Sequence, residues 1–450
     1  MTTTVNDPSP AGIRPPVKPG VVLRMLARRV HFLAGLAIAP FLMVLCLSGL
    51  VYAFTPQIND LLYSGEFFVD SASGPVHSLA DQVQAALAAY PQDTLSSVIA
   101  PDAPDRTTQI VLSEPGLGGS GFSAQARTVY VDPYTGHITG DLITTSGRPP
   151  AQQWLRDFHG NLQLGDIGRL YSEFVASWLP FVVLGGLILW IGMRRRKRRL
   201  RALLLPQPGA ARARAWHGPL GLWLAIGLLA VSITGLTWSN YAGSRVEAAI
   251  TAVNGKTPSL SAPEVVVPPG AQPISIDTAV GIARAQGIDG QLTVTPPARA
   301  GKPFKVSETG DGLPIRKDEI AIDPYTQQIT ARLGWPDYPP AAKLTTLGIQ
   351  AHSGTLLGLV NEIAMALLAL GTLALLVLGY RMWWKRRRGN GKLVSAPPSV
   401  WRHLSRPVLV VGVLIVAALC WAMPVFGGSL VLFLVLDTAI SAVRRRAATP

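Results

Sequence analysis

Four histidines in this 450-residue chain stand in two matched pairs. His31 opens HFLAGLAIAPFLMVLCLSGLVYAF, and His217 stands at the head of WHGPLGLWLAIGLLAVSITGLTW. In both, a Gly follows four residues on (Gly35, Gly221) and a hydroxyl-Gly-Leu seventeen on (Ser48-Gly49-Leu50, Thr234-Gly235-Leu236). His159 in HGNLQLG and His352 in HSGTLLG make the second pair, each with a Gly six residues later. The remaining histidines, His77, His137 and His403, have no counterpart, and Gln328 stands where a partner for His137 would be. Ionisable side chains at apolar spans are costly, so four in register are candidates for function. Two neutral imidazoles facing each other across a pseudo-twofold axis are what an axially ligated haem iron requires, and nearby glycines let a flat macrocycle lie against helix backbone. The expectation is two b-type haems, with His31, His217, His159 and His352 as iron ligands, one haem near each face. There is no Cys-x-x-Cys-His for covalent attachment. A zinc or non-haem iron site would need further Cys, Asp or Glu ligands beside each pair. The competing reading of any one of these histidines is an interfacial residue at a helix start.

The elements that position these residues are apolar. The chain is 48% hydrophobic and 15% charged, too apolar for an ordinary soluble enzyme. Runs near the ~20 residues that cross the hydrocarbon core occur at 31–54, 174–193, 216–238, 363–380, 407–424 and 426–443. These predict six transmembrane helices: two parallel two-helix repeats plus a C-terminal hairpin. With the outward extensions that carry His159 and His352, the second and fourth segments run 159–193 and 352–380.

Charge distribution sets the topology. Net charge is +14, and segments 1–30, 194–215, 381–406 and 444–450 hold 25 of the 40 Lys and Arg against one acid, Asp7. In the long connections 55–158 and 239–351, taken together, acids outnumber bases. This positive-inside pattern puts both termini in the cytoplasm and the connections outside, and it makes the run Arg194 to Arg199 a topology anchor rather than a nucleic-acid site. Residues 1–20 read as a disordered tail, and the run from His31 is too long for a cleaved signal core. Cys46 and Cys420 both lie within spans, which leaves the outward connections without a disulfide framework.

Each outward connection has the same plan. The first predicts a helix over Ser78–Tyr90, strands near Ser96–Ala100, Thr107–Leu112 and Thr128–Val131, and a turn at Asp132-Pro133-Tyr134-Thr135. The second predicts a helix over 276–286, strands over Gln291–Thr295, Phe304–Ser307 and Glu319–Ile322, and a turn at Asp323-Pro324-Tyr325-Thr326. A duplicated unit of span, small α+β domain and returning span follows.

These residues resemble a known family. The WHxxLG and [ST]GL spans, the HGNLQLG and HSGTLLG return segments, the twin DPYT elements and the WWKRRR end are similar to the PepSY-associated membrane family, often called iron-regulated membrane proteins. The resemblance runs from about residue 24 to 388, and the terminal hairpin is similar to the tail of many members. It implies two PepSY-type extracytoplasmic domains, a bacterial inner-membrane location, b-type haem on the four histidines and reduction of a ferric siderophore or another ferric chelate on the outward face. No flavin or nicotinamide domain is fused, so electrons would come from a cytoplasmic protein, a reduced flavin or a quinol.

Two other readings compete: a membrane-anchored PepSY module that binds or restrains an extracytoplasmic protein such as a protease, and a transporter of haem or a metal chelate. Weaker features have plain explanations. Gly116 to Gly121 fits G-x-G-x-x-G but opens no helix. Glu173 and Glu362 read as salt-bridge partners, and Asp437, near Arg444, as paired or snorkelling. Trp178, Trp190, Trp216, Trp238, Trp383 and Trp384 read as an interfacial belt. Trp154, Trp335 and Tyr338 are candidates to line an outward substrate surface.

Overall fold

The computed structural model describes residues 19–194, 205–206, 212–390 and 405–446. The tail 1–18, most of the basic run from Arg195, the segment 391–404 with His403, and 447–450 lie outside the described residues. The chain divides into two compact units, one from Met1–Met43, Glu173–Leu236 and Gly371–Pro450 and the other from Val44–Ser172 and Thr237–Leu370.

Among the described residues, four helices are long and apolar enough to cross a membrane: Gly20–Tyr52, Gly165–Ile191, Arg212–Thr237 and Leu359–Arg387. They belong to helices α1 (Pro19–Tyr52), α6 (Gly165–Arg194), α7 (Arg212–Thr237) and α11 (Leu359–Asn390). The expected fifth and sixth spans are α12 (Arg406–Ala422) and α13 (Pro424–Arg446), whose apolar stretches are shorter.

In the first unit the C-terminal hairpin packs by specific contacts. Phe181 of α6 stacks on Phe426 of α13 and Trp178 packs on it at a tilt, each with ring centroids 4.7 Å apart, and Trp178 Nε1 donates to Ser429 Oγ at 2.8 Å. Trp178 and Trp190 are therefore buried, at 5% and 6% exposure. They are not members of an interfacial belt, because each indole fills a helix–helix contact instead. Trp216, Trp238 and Trp384 do remain exposed. Asp437 pairs with Arg29 of α1 at 2.6 Å, a residue more than four hundred positions away that proximity in sequence could not suggest.

The second unit carries an eight-stranded antiparallel sheet in the order β4-β3-β2-β1-β5-β6-β7-β8. The first copy supplies β1 (Thr94–Ile99), β2 (Thr108–Ser113), β3 (Gln125–Val131) and β4 (Ile138–Thr145). The second supplies β5 (Leu292–Thr295), β6 (Phe304–Glu308), β7 (Glu319–Ile322) and β8 (Ile329–Leu333). The expectation of two separate small domains is thus corrected: β1 and β5 pair through Val98↔Val294 and Ile99↔Thr293. Joining them there satisfies two edges that would otherwise expose unpaired backbone.

Helix α4 (Leu79–Ala89) covers the first half and α9 (Ile276–Ala285) the second. Ser78 and Ser275 cap them by accepting from the Asp81 and Thr278 N–H groups. Two cores result, one around Ile110, Leu112 and Val129 and one around Leu292, Val306 and Ile320, with Ile276 packed against both. Asp277 also accepts from the Leu79 N–H at 2.7 Å and the Ala80 N–H at 3.2 Å. The second copy thereby caps the first copy's helix.

The DPYT segments are hairpin turns built alike. Asp132 Oδ1 accepts from the N–H of Tyr134 at 2.8 Å, and Asp323 Oδ1 from that of Tyr325 at 2.8 Å. The chain returns through a left-handed residue, Gly136 at φ 70° and Gln327 at φ 64°, and the register shifts just before both turns. The Pro133 carbonyl then accepts from the His77 N–H and the Pro324 carbonyl from the Ile274 N–H, which ties each turn to the segment entering the covering helix.

Candidate functional site

In the first unit α1 presents His31 and α7 presents His217. Their ring centroids are 6.1 Å apart, with planes at 76°. His31 Nδ1 lies 2.8 Å from the Val182 carbonyl of α6. A carbonyl only accepts, so Nδ1 carries the proton and the Nε2 lone pair is left for a ligand. Gly186, one turn further along α6, makes room for this: a Cβ there would lie 3.0 Å from His31 Cε1. Gly185 lets the helices approach, since a Cβ would meet the Ala27 carbonyl and His31 Cβ at 3.3 Å.

The second copy repeats the arrangement on α11. Leu375 and Gly379 correspond to Val182 and Gly186, and the Gly379 Cβ position is 3.7 Å from His217 Cε1. The match is looser, because His217 Nδ1 is buried with no partner inside hydrogen-bond geometry. The repeat glycines Gly35 and Gly221 face the same two residues, Val182 Cγ1 at 3.7 Å and Leu375 Cδ2 at 3.8 Å.

Two imidazoles on opposite sides of one metal ion, with bonds of about 2 Å and another ~1 Å from nitrogen to ring centre, have centroids ~6 Å apart. The His31–His217 separation fits that demand. Among the described residues no group of three or more His, Cys, Asp or Glu comes together.

In the second unit His159 is the third-last residue of α5 (Pro150–Asn161) and His352 the second-last of α10 (Pro340–Ser353). Neither sits on an outward extension of its span. The chain breaks after α5 at Leu162 and Gln163, with φ 56° and 60°, and after α10 at Gly354, with φ 94°, before α6 and α11 begin. The break lets a short helix with its own direction present each histidine. Gly168 makes the first of these turns possible, since a Cβ would fall 1.7 Å from the Asn161 carbonyl.

His159 Nδ1 lies 2.9 Å from Ser48 Oγ, while His352 packs on Trp238 with centroids 5.0 Å apart. Each histidine keeps some accessible surface, yet the surrounding protein removes enough water to push His159 down to about 4 and His352 to about 3. A charge on His159 lowers His352 further. Both imidazoles are neutral at pH 7, the state that binds metal.

A family model described as the PepSY-associated TM region matches residues 28–386. The chain belongs to the PepSY-associated TM family. No curated protein matches it. The match includes all four paired histidines of this PepSY-associated protein and stops before the hairpin α12–α13.

Of the residues singled out in the sequence, His31 and His217 come together, while His159 lies on Ser48 and His352 on Trp238. His77 and His137 belong to the DPYT turn of the first sheet copy instead. The glycine-rich loop ends in a three-residue 3-10 turn, Gly121–Ser123. Glu362 is buried and accepts from Gln57 Nε2 at 2.8 Å rather than forming the expected salt bridge. Tyr338 is 6% exposed and does not line a surface; Trp154, at 55%, is open and stacks on Phe158. Sequence reasoning missed Val182, Gly186, Leu375 and Gly379. The signal available was the Gly186 and Gly379 match at the offset that relates His159 to His352.

Proposed function

We propose that this PepSY-associated protein is a six-span protein of the bacterial inner membrane, with both termini cytoplasmic, that carries two b-type haems and passes electrons to a ferric siderophore or another ferric chelate on the outward face. The observation that carries this reading is the 6.1 Å separation of the His31 and His217 rings, with the His31 proton committed to Val182 and glycine where a side chain would crowd the ring. A bound haem supplies one-electron transfer at a potential that axial ligands and burial set. The Val182 carbonyl fixes the tautomer of His31, and the surrounding helices bury the paired rings. Reduction of the chelated iron loosens a hard-oxygen chelator suited to Fe(III). The electron source is a cytoplasmic protein, a reduced flavin or a quinol.

The test is an absorbance spectrum of detergent-purified protein before and after dithionite, with a pyridine haemochrome assay for haem per chain. About two b haems per chain is the expected result. Protein made with ample haem supply and purified without haem would overturn the redox reading and favour an anchored PepSY binding module.

A further inference from the structure

Ser48 belongs to the repeated hydroxyl-Gly-Leu motif, and its proton is already committed within α1. Its Oγ lies 2.8 Å from the Val44 carbonyl and 3.3 Å from the Leu45 carbonyl, neither of which can donate. The same oxygen is 2.9 Å from His159 Nδ1. With its own proton on a carbonyl, the hydroxyl is left to accept there, so Nδ1–H of His159 donates to Ser48 and the lone pair resides on Nε2.

The neighbouring positions serve this contact. A Cβ on Gly49 would lie 3.1 Å from His159 Cε1 and 3.5 Å from Nδ1, so a glycine lets the ring reach the serine. The Tyr171 hydroxyl donates to the His159 carbonyl, and Ser172 Oγ donates to the Gly160 carbonyl at 2.7 Å. Helix α6 thus holds the end of α5 while α1 holds the ring. In the second copy Thr234 has the same habit, donating to the Ala230 carbonyl at 2.8 Å.

We propose that Ser48 is a positioning residue of the outward histidine pair: by accepting the Nδ1 proton it fixes the tautomer and ring angle of His159 and makes its Nε2 a stronger donor to iron. This rests on the haem reading above. An acceptor on the far nitrogen raises the basicity of a ligating imidazole and so favours the ferric state. At His31 that service comes from a backbone carbonyl, which substitution cannot remove. At His159 it comes from a side chain and can be removed.

The experiment compares full-length wild type, Ser48→Ala, Ser48→Thr and Gly49→Ala, each purified with haem, by potentiometric titration and low-temperature electron paramagnetic resonance. In Ser48→Ala one of two haem components is expected to titrate at higher potential, with its low-spin ferric signal displaced or broadened and the other component unchanged. Ser48→Thr restores the wild-type behaviour. Gly49→Ala keeps the hydroxyl but crowds the ring, and it perturbs the same component even if Ser48→Ala fails to accumulate. Wild type with two haems and a Ser48→Ala protein with unaltered potentials and signals overturns the proposal alone, as does a Gly49→Ala change confined to the other component. Wild type without haem overturns the haem reading and this proposal together.

Discussion

The Trp190 indole occupies the space that a side chain at residue 218 would need: a Cβ on Gly218 would lie 2.2 Å from Trp190 Cε3 and Cζ3. The contact brings α6 against α7 one residue beyond His217. An indole is rigid, so the neighbour cannot fold its end away as a lysine or methionine could. Gly218→Ala is expected to cost at least the ~1–3 kcal/mol typical of overpacking, read as a lower melting temperature in detergent. Adding Trp190→Leu should recover part of the loss. Equal melting of wild type and Gly218→Ala would show that the helices separate freely here.

Under the proposed function His31 and His217 hold one haem together, so His31→Ala, His217→Ala and the double variant should each lose the same haem, from about two per chain to about one. His137 lies in the hairpin of the first sheet copy, with its N–H on Thr135 Oγ1, and His137→Ala should keep the wild-type haem content. Equal Soret intensity in His217→Ala and His137→Ala would remove the inner pair from consideration.

His159 and His352 set a pH dependence whose sign follows from their burial. Both titrate below the ordinary 6.5, His159 at about 4 and His352 at about 3. Above pH 6.5 both are neutral whether the chain is folded or unfolded, and they contribute no slope. As pH falls below 6.5 the unfolded chain binds protons that the folded one refuses, so stability declines toward the folded-state values. Apo protein should melt at lower temperature at pH 5 than at pH 7.5. His159→Gln with His352→Gln should flatten that difference, and an unchanged slope in the double variant would assign it to other groups.

The two DPYT hairpins differ at one residue in a way that predicts opposite effects. Gln327 holds φ 64° where the first copy has Gly136 at φ 70°. A side chain in the left-handed region costs ~1–2 kcal/mol, offset in part by the chain entropy that glycine loses on folding. Gln327→Gly should raise stability by about 0.5–1 kcal/mol and Gly136→Gln should lower it by a similar amount, measured as melting-temperature shifts of the full chain.

The Asp at the head of each turn carries more. Asp132 and Asp323 are 7% and 9% exposed, and each carboxylate accepts from two N–H groups. Hydrogen bonds to a charged acceptor contribute about 1.5–3 kcal/mol. Asp132→Ala should destabilise by about that amount, whereas Asp132→Asn, which keeps one acceptor oxygen, should cost less.

Much was determined by the sequence alone, because it depends on local chemistry. Spans follow from runs of apolar side chains, the two turns from Asp-Pro-Tyr-Thr, and the covering helices from the spacing of their apolar positions. The match of the four histidines at two equivalent positions followed from register, since a duplicated chain puts equivalent residues in equivalent places. What only the tertiary structure decided are relationships between distant segments. A strand edge does not encode its partner, so the fusion of two expected domains through Val98 and Val294 was invisible. The acceptors for the histidine protons, Val182 and Ser48, lie 151 and 111 residues from the rings they hold. Trp178 reads as a belt residue until helix packing brings Phe426 against it, and Asp437 pairs with the distant Arg29, because contacts are set by what packs on a residue and not by the residue's type.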